Sequence, residues 1–598
     1  MTVLPARKDV DPATTWDIAS VFPDDLAWQG ELNALRKELP ELTDFSGKLR
    51  SAQGIADYLE RSSALQARVQ RVSIYANMLF SVDSTDPQAG SRRGLAAGLS
   101  AQASSTMAFA VPELLALGEV RLRELSQELP LARYAQYLLR LIRKAEHVRS
   151  AEVEELLGAV SEPFSGASAV HGALVNGELD FGSIETPQGP APVAQSTIGE
   201  LLAHPDRQVR RSAYQRYADR HLAVQTTLAT ALTTGIRQDV FLARVRRYGS
   251  SLEAALSENF LPTSVFHTLV ATYRRHLPLW HRYWEVRRRA LQLEELCEYD
   301  VHAPLVQGPS VPYAQAVQWI AEGMAPLGDR YVQPMVRGLT SERWVDIYPN
   351  AGKRLGAFST GNPLTKPYIF MSYQNSLFSM STLAHEVGHS MHNYLSSAKQ
   401  PLLFSRYSLF VAEVASNFNQ AMVRAHLMRK NPEPSFQVAL IEEAMHNFHR
   451  YFFVMPALAR FELEVHERAE RGQALGAADL SALTADLFAE GYGSALKADR
   501  ERSGITWAEF PNHMYSNFYV FQYATGISAA HALAEGVLSG DAAAADRYID
   551  FLSSGGSLDP LDALKLAGVD MTSPEPIERA FAGMASLVDR LAELTGAS

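Results

Sequence analysis

The chain has 598 residues, of which 47% are hydrophobic and 20% charged. That is ordinary globular usage, and it excludes intrinsic disorder, collagen and a mucin-like stalk. Lys plus Arg is 55 against 66 Asp plus Glu, a formal net charge of −11, which argues against a nucleic-acid backbone as the main partner.

The length predicts three or more domains, or one multi-lobed enzyme. The opening MTVLPARKDVDPATTWD carries no apolar run of the kind a secretory signal needs. Helical periodicity dominates from there on. Over 53–80 and 205–245, Leu, Ala, Val, Ile and aromatic residues recur every three or four positions among Arg, Gln and Asp. The stretch 179–195, LDFGSIETPQGPAPVAQ, predicts a hairpin with PQGP at its tip. A seam is expected near 195–205, giving an N-terminal helical lobe over 1–200 and a catalytic region over 201–598.

Cys297 is the one cysteine, so no intrachain disulfide can form, which fits a reducing compartment. Its neighbours in ELCEYD are acidic, the wrong environment for a reactive thiolate. From Trp344 to Tyr373, β-rich runs alternate with Gly and Pro, predicting a small sheet inserted in a helical protein. No segment approaches the ~18 apolar residues of a membrane helix. The expectation is a soluble cytoplasmic protein with neither nucleic acid nor membrane as partner; the sequence does not set its oligomeric state.

The informative segment is STLAHEVGHSMHNYLSS, 381–397. His385 and His389 are four apart, which on a helix puts both imidazoles on one face, as two ligands of a tetrahedral zinc require. Glu386 is placed to act as general base on a water at the open metal position. The bland alternative is a helix with two ordinary histidines. Leu383, Ala384, Val387 and Met391 can bury the other faces, and Gly388, at ~1 kcal/mol against Ala in a helix, suggests a close approach of something to the backbone. A third ligand is needed. The position six after His389 is Leu395, so the three-histidine pattern fails; His392 fits a tetrahedron poorly from the same helix. Glu413, the single acidic residue between Ser390 and Pro432, sits in the apolar run SLFVAEVAS, where an unpaired carboxylate is costly to bury. His446 and His449 read as structural or as support for the site. Downstream, WAEFPNHMYSNFYVFQYATG at 507–526 packs His513, Tyr515, Tyr519 and Tyr523 together. Tyr519 and Tyr523 are expected on one helical face. They are either donors to an oxyanion or an aromatic core helix.

With TTWDIASVFPDD, SVDSTDPQAG, EHVRSAEVEELL and HPDRQVRRSAY in the first half, and DIYPNAGKRLGAFSTG, STLAHEVGHSMH, FVAEVAS and HMYSNFYVFQYATG in order after them, the chain resembles oligoendopeptidase F of the thimet-oligopeptidase-like zinc metallopeptidases. The resemblance covers nearly the whole chain. It implies a mostly α-helical ellipsoid with a deep substrate channel, a small sheet near the zinc-binding helix, and one zinc held by His385, His389 and Glu413. It implies Glu386 as base and raises His513, Tyr519 and Tyr523 to transition-state stabilisers. The family commonly has Tyr where Phe521 stands. The implied activity is endopeptidase cleavage of short unstructured peptides. A catalytically inactive peptide-binding protein and a zinc exopeptidase are the alternatives.

Overall fold

A computed structural model describes residues 4–597. The protein is mostly α-helical, with two small sheets among the described residues. The periodic segments become helices with identifiable caps. The run at 53–80 is the helix Ala52–Val82, opened by the Ser51 side chain accepting from the Gly54 backbone N–H. Its buried positions Ile55, Leu59, Ser62, Leu65, Val69, Val72 and Ala76 follow the helical period. The run at 205–245 becomes two helices, Arg207–Leu222 and Gln225–Val245. The expected hairpin pairs Ser183–Thr186 antiparallel to Gly189–Pro192, turning at Pro187 and Gln188.

The chain divides into two compact units, each assembled from three separated stretches. One comprises the chain up to Ala151, Ser310–Leu427 and Leu533–Gly568. Its core gathers Trp16, Trp28, Val72 and Tyr75 with Tyr368 and Phe370. The last two lie on the middle strand of a three-stranded sheet. That strand, Tyr368–Phe370, runs parallel to Val345–Asp346 and antiparallel to Phe358–Thr360. The sheet is thus backed by N-terminal helices, and its outer strand touches the helix Leu377–Lys399, where the Ser359 and Ser390 hydroxyls lie 2.8 Å apart.

The other unit comprises Glu152–Pro309, Met428–Ala532 and the chain from Val569. Here the hairpin residue Ile184 packs with Phe181, Val209, Ala213 and Tyr217. A second aromatic group joins Trp280, Trp284, Phe453 and Tyr492. The fully buried Asp300 is held by both Arg207 and Arg210, the pairing a buried carboxylate needs.

Candidate metal centre

The motif segment folds as the helix Leu377–Lys399, capped by Ser376. Leu383, Ala384, Val387 and Met391 are buried on it. His385 and His389 present their rings side by side, 4.9 Å between centroids and nearly perpendicular. Glu413 comes from the next long helix, Leu409–Lys430. Its Oε2 lies 3.4 Å from His385 Nε2 and 3.9 Å from His389 Nε2. Among the described residues this is the one set of three or more His, Cys, Asp or Glu side chains whose donor atoms all fall within 4.8 Å of one another.

Gly388 explains how the two helices come so close. A Cβ there would collide with the backbone of Ala415, starting at its carbonyl oxygen. The close approach suggested by that glycine is therefore the helix that carries Glu413. His392 takes no part in the set. It is buried and stacks flat on the ring of Tyr407, whose hydroxyl donates to the His389 carbonyl at 3.4 Å. Burial keeps its pKa far below the ordinary histidine value.

The donor set is prearranged. Gln420 donates through Nε2 to Ser381 Oγ at 2.8 Å, leaving its carbonyl oxygen to accept from His385 Nδ1 at 3.1 Å. With the proton on Nδ1, the Nε2 lone pair faces Glu413 and is left for a ligand. His389 is hydrogen-bonded to the backbone of Ala412, and the Ser416 hydroxyl donates to Glu413 Oε2. Burial holds His389 down at about 4, against the pull of Glu413, so the ring is neutral and can coordinate at neutral pH. Glu386 is 5% exposed, and its Oε2 is buried with no hydrogen-bond partner. Burial raises its pKa to about 7; His385 works against the rise and Glu413 adds to it. Two imidazoles, a carboxylate and an orphaned buried carboxyl oxygen are a donor set that fits a divalent cation with a bound water.

In the other unit, His513 sits on the short helix Pro511–Met514, and Tyr523 is in the first turn of the helix Phe521–Leu538. Tyr519 precedes that helix instead of sharing its face, because Phe518 turns the chain through a left-handed φ of 49°. The three side chains still meet. Tyr523 Oη lies 3.3 Å from His513 Nε2, and the Tyr519 and Tyr523 rings are 5.1 Å apart, edge to face. Tyr451 stacks parallel on Tyr523 from the π-helical turn Arg450–Val454. Tyr515 points elsewhere, to His171. His446 and His449 pack their rings against His302, away from the metal set. Sequence reasoning missed Gln420 and Tyr407. Gln420 had a signal: it lies seven residues after Glu413, two helical turns along the same face.

A helix-borne His–Glu–x–x–His pair faced by a glutamate from a neighbouring helix is a donor set suited to a metallopeptidase. Residues 200–583 match the family model of peptidase family M3, and residues 113–181 match that of oligopeptidase F. The chain is 37% identical to oligopeptidase PepF of Bacillus subtilis, covering 99% of this chain and 88% of that one. A crystal structure from Chlamydophila abortus superposes with a TM-score of 0.88 at 30% identity, covering 99% and 100% of the two chains. Oligoendopeptidase-F from Enterococcus faecium gives 0.76 at 29% identity, covering 96% and 100%. The chain belongs to peptidase family M3, and it is a metallo-oligopeptidase, a family that implies a bound metal and peptide substrates.

Proposed function

We propose that the protein is a zinc-dependent endopeptidase that cuts internal bonds of short, unstructured peptides in the cytoplasm. The observation that carries this reading is Glu386. It is a buried carboxyl with one unpartnered oxygen, adjacent in sequence to a prearranged pair of imidazoles and a carboxylate. His385, His389 and Glu413 would hold the ion. When bound there, zinc supplies Lewis acidity toward a water and toward the scissile carbonyl.

Glu386 takes the proton of the attacking water and passes it to the leaving amine. Its desolvated setting keeps it a stronger base than an exposed glutamate. Gln420 and the Ala412 backbone hold the imidazoles in the coordinating tautomer. His513, Tyr519 and Tyr523 donate to the oxyanion; a phenol does so without adding a formal charge. The strand Phe358–Thr360 forms an edge of the three-stranded sheet and contacts the motif helix through Ser359. An extended peptide added to that edge is read through its backbone, which favours broad sequence tolerance and demands an unfolded substrate.

The test is mass spectrometry of products from a mixed-length peptide library, with and without chelator. Internal cleavage abolished by chelation and restored by zinc is the expected result. Release of single terminal residues would make the protein an exopeptidase. Binding without cleavage by the zinc-loaded protein would make it an inactive peptide-binding protein.

A further inference from the structure

We infer that Glu462 is a positioning residue for the His513–Tyr519–Tyr523 cluster, its carboxyl fixing the backbone turn from which Tyr519 projects. This rests on the proposal that the cluster serves the transition state.

The segment between the helix Pro511–Met514 and the helix Phe521–Leu538 has no regular structure of its own, so something outside it must set its shape. Its upstream half is pinned by His171. Nε2 of that ring faces the Ala508 carbonyl at 3.0 Å and must carry the proton, which leaves Nδ1 to accept from the Tyr515 hydroxyl at 3.2 Å. Gly235 leaves room for the Tyr515 ring; a Cβ there would lie 2.9 Å from it.

The downstream half depends on Glu462, on the helix Met455–Glu470. Its Oε1 accepts the Phe518 backbone N–H. Phe518 is the residue with φ of 49°, a conformation that a bulky aromatic adopts only when its surroundings impose it. Its ring is locked as well, edge-on to Phe266 and against His466. Glu462 is 2% exposed, and its Oε2 has no partner. A carboxyl desolvated this far, with one oxygen spent on a single loop amide, is an expensive way to hold a loop that has no other task. Its own helix is fixed by His466, whose Nδ1 donates to the Glu462 carbonyl and whose Nε2 lies 3.3 Å from Asp239. Tyr519 is the next residue after the turn, so rotation at Phe518 redirects its phenol directly.

The experiment measures kcat and KM on a fluorogenic peptide for the zinc-loaded wild type, E462A, E462Q, Y519F/Y523F, and E462A combined with Y519F/Y523F. It adds amide hydrogen exchange over residues 515–523. Glu462→Ala is expected to lower kcat ~10–100-fold with KM and zinc content near wild type, the scale of a small misplacement of reacting groups. Glu462→Gln keeps an oxygen for the Phe518 N–H and should return kcat to within ~3-fold. In the Y519F/Y523F background, Glu462→Ala should change kcat by less than ~2-fold, since the groups it positions are gone. An equal loss in both backgrounds overturns this inference while leaving the cluster's role intact. Wild-type kcat in Y519F/Y523F overturns the cluster's role itself, and this inference with it. Should E462A fail to fold, exchange in the wild type decides: protection at 515–520 like that of the following helix is expected, and exchange at the rate of an open loop overturns the inference.

Discussion

Glu386 and Glu413 are both carboxyls beside the same imidazoles, and the proposed function gives them opposite tasks that match their different surroundings. Glu413 Oε2 faces both Nε2 atoms and is tied to Ser416, whereas Glu386 keeps a buried oxygen with no partner. Removing each should therefore separate binding from turnover. Glu413→Ala is expected to lose the metal, read as a fall of the zinc-to-protein ratio toward zero after gel filtration in a folded protein. Glu386→Gln should keep a full complement and lose nearly all turnover, because the base is gone and the ligands remain. Gln420→Ala is the subtler case. It removes the acceptor that holds the His385 proton on Nδ1, so zinc affinity should weaken by ~10–100-fold in chelator competition. Unchanged affinity would reduce Gln420 to packing. In the other unit, Tyr519→Phe and Tyr523→Phe delete only a hydroxyl. At least one should lower kcat by ~10²–10³, the usual loss for one oxyanion donor, at near-normal stability. Wild-type turnover in both would return the cluster to core packing.

Two helices make the candidate metal centre, and one glycine sets their separation. Gly388→Ala gains ~1 kcal/mol of helix propensity but drives a methyl into the Ala415 backbone, and overpacking of that kind costs ~1–3 kcal/mol. The net is a loss of up to ~2 kcal/mol in stability, and the sharper readout is the site. Pushing the helices apart withdraws Glu413 from the histidines, and zinc affinity should drop while helical content by circular dichroism holds. Full affinity in that variant would show that the helices have slack. Element-level features divide the same way in how far the sequence discloses them. The coming together of His385, His389 and Glu413 was readable because a regular helix converts spacing into direction, and because an acidic residue in an apolar run needs a partner. Tyr519 was not readable as an off-helix residue. The left-handed turn at Phe518 is held by Glu462, 56 residues earlier, and no local pattern in SNFYVF records that. The interleaving of two units from three stretches each is equally silent, since long-range packing leaves no periodic mark on the chain.

At the scale of the whole molecule, buried titratable groups give stability a pH dependence that can be signed. In the unit that holds the tyrosine cluster, burial lowers His221 to about 4 and His449 to about 3. These rings stay neutral in the native state while the unfolded chain takes up protons below about 6.5, so stability falls as pH drops through that range. The buried acids act the other way. Burial raises Glu462 and Glu509 to about 8, the latter with help from the charge of Glu298, and Glu298 itself to about 7. Between the unfolded value of 4.5 and these folded values the native state holds protons that the unfolded chain has released, so stability falls as pH rises. From 4.5 to 6.5 the two sets oppose each other and the curve flattens. Above 6.5 these two histidines are neutral in both states; the acids lose stabilisation as pH rises, and so does His466, which burial would lower but Asp239 and Glu462 raise. The melting temperature, measured with chelator so that metal binding adds no pH term of its own, should therefore be higher at pH 6 than at pH 8.5. Glu509→Gln removes one of the contributing protons and should flatten the decline above pH 6.5, by up to ~1.4 kcal/mol for each pH unit the acid had spanned. A melting temperature that rises from pH 6 to 8.5, or a slope that Glu509→Gln leaves untouched, would mean that these carboxyls are ionised in the native protein and are stabilised by partners other than their protons.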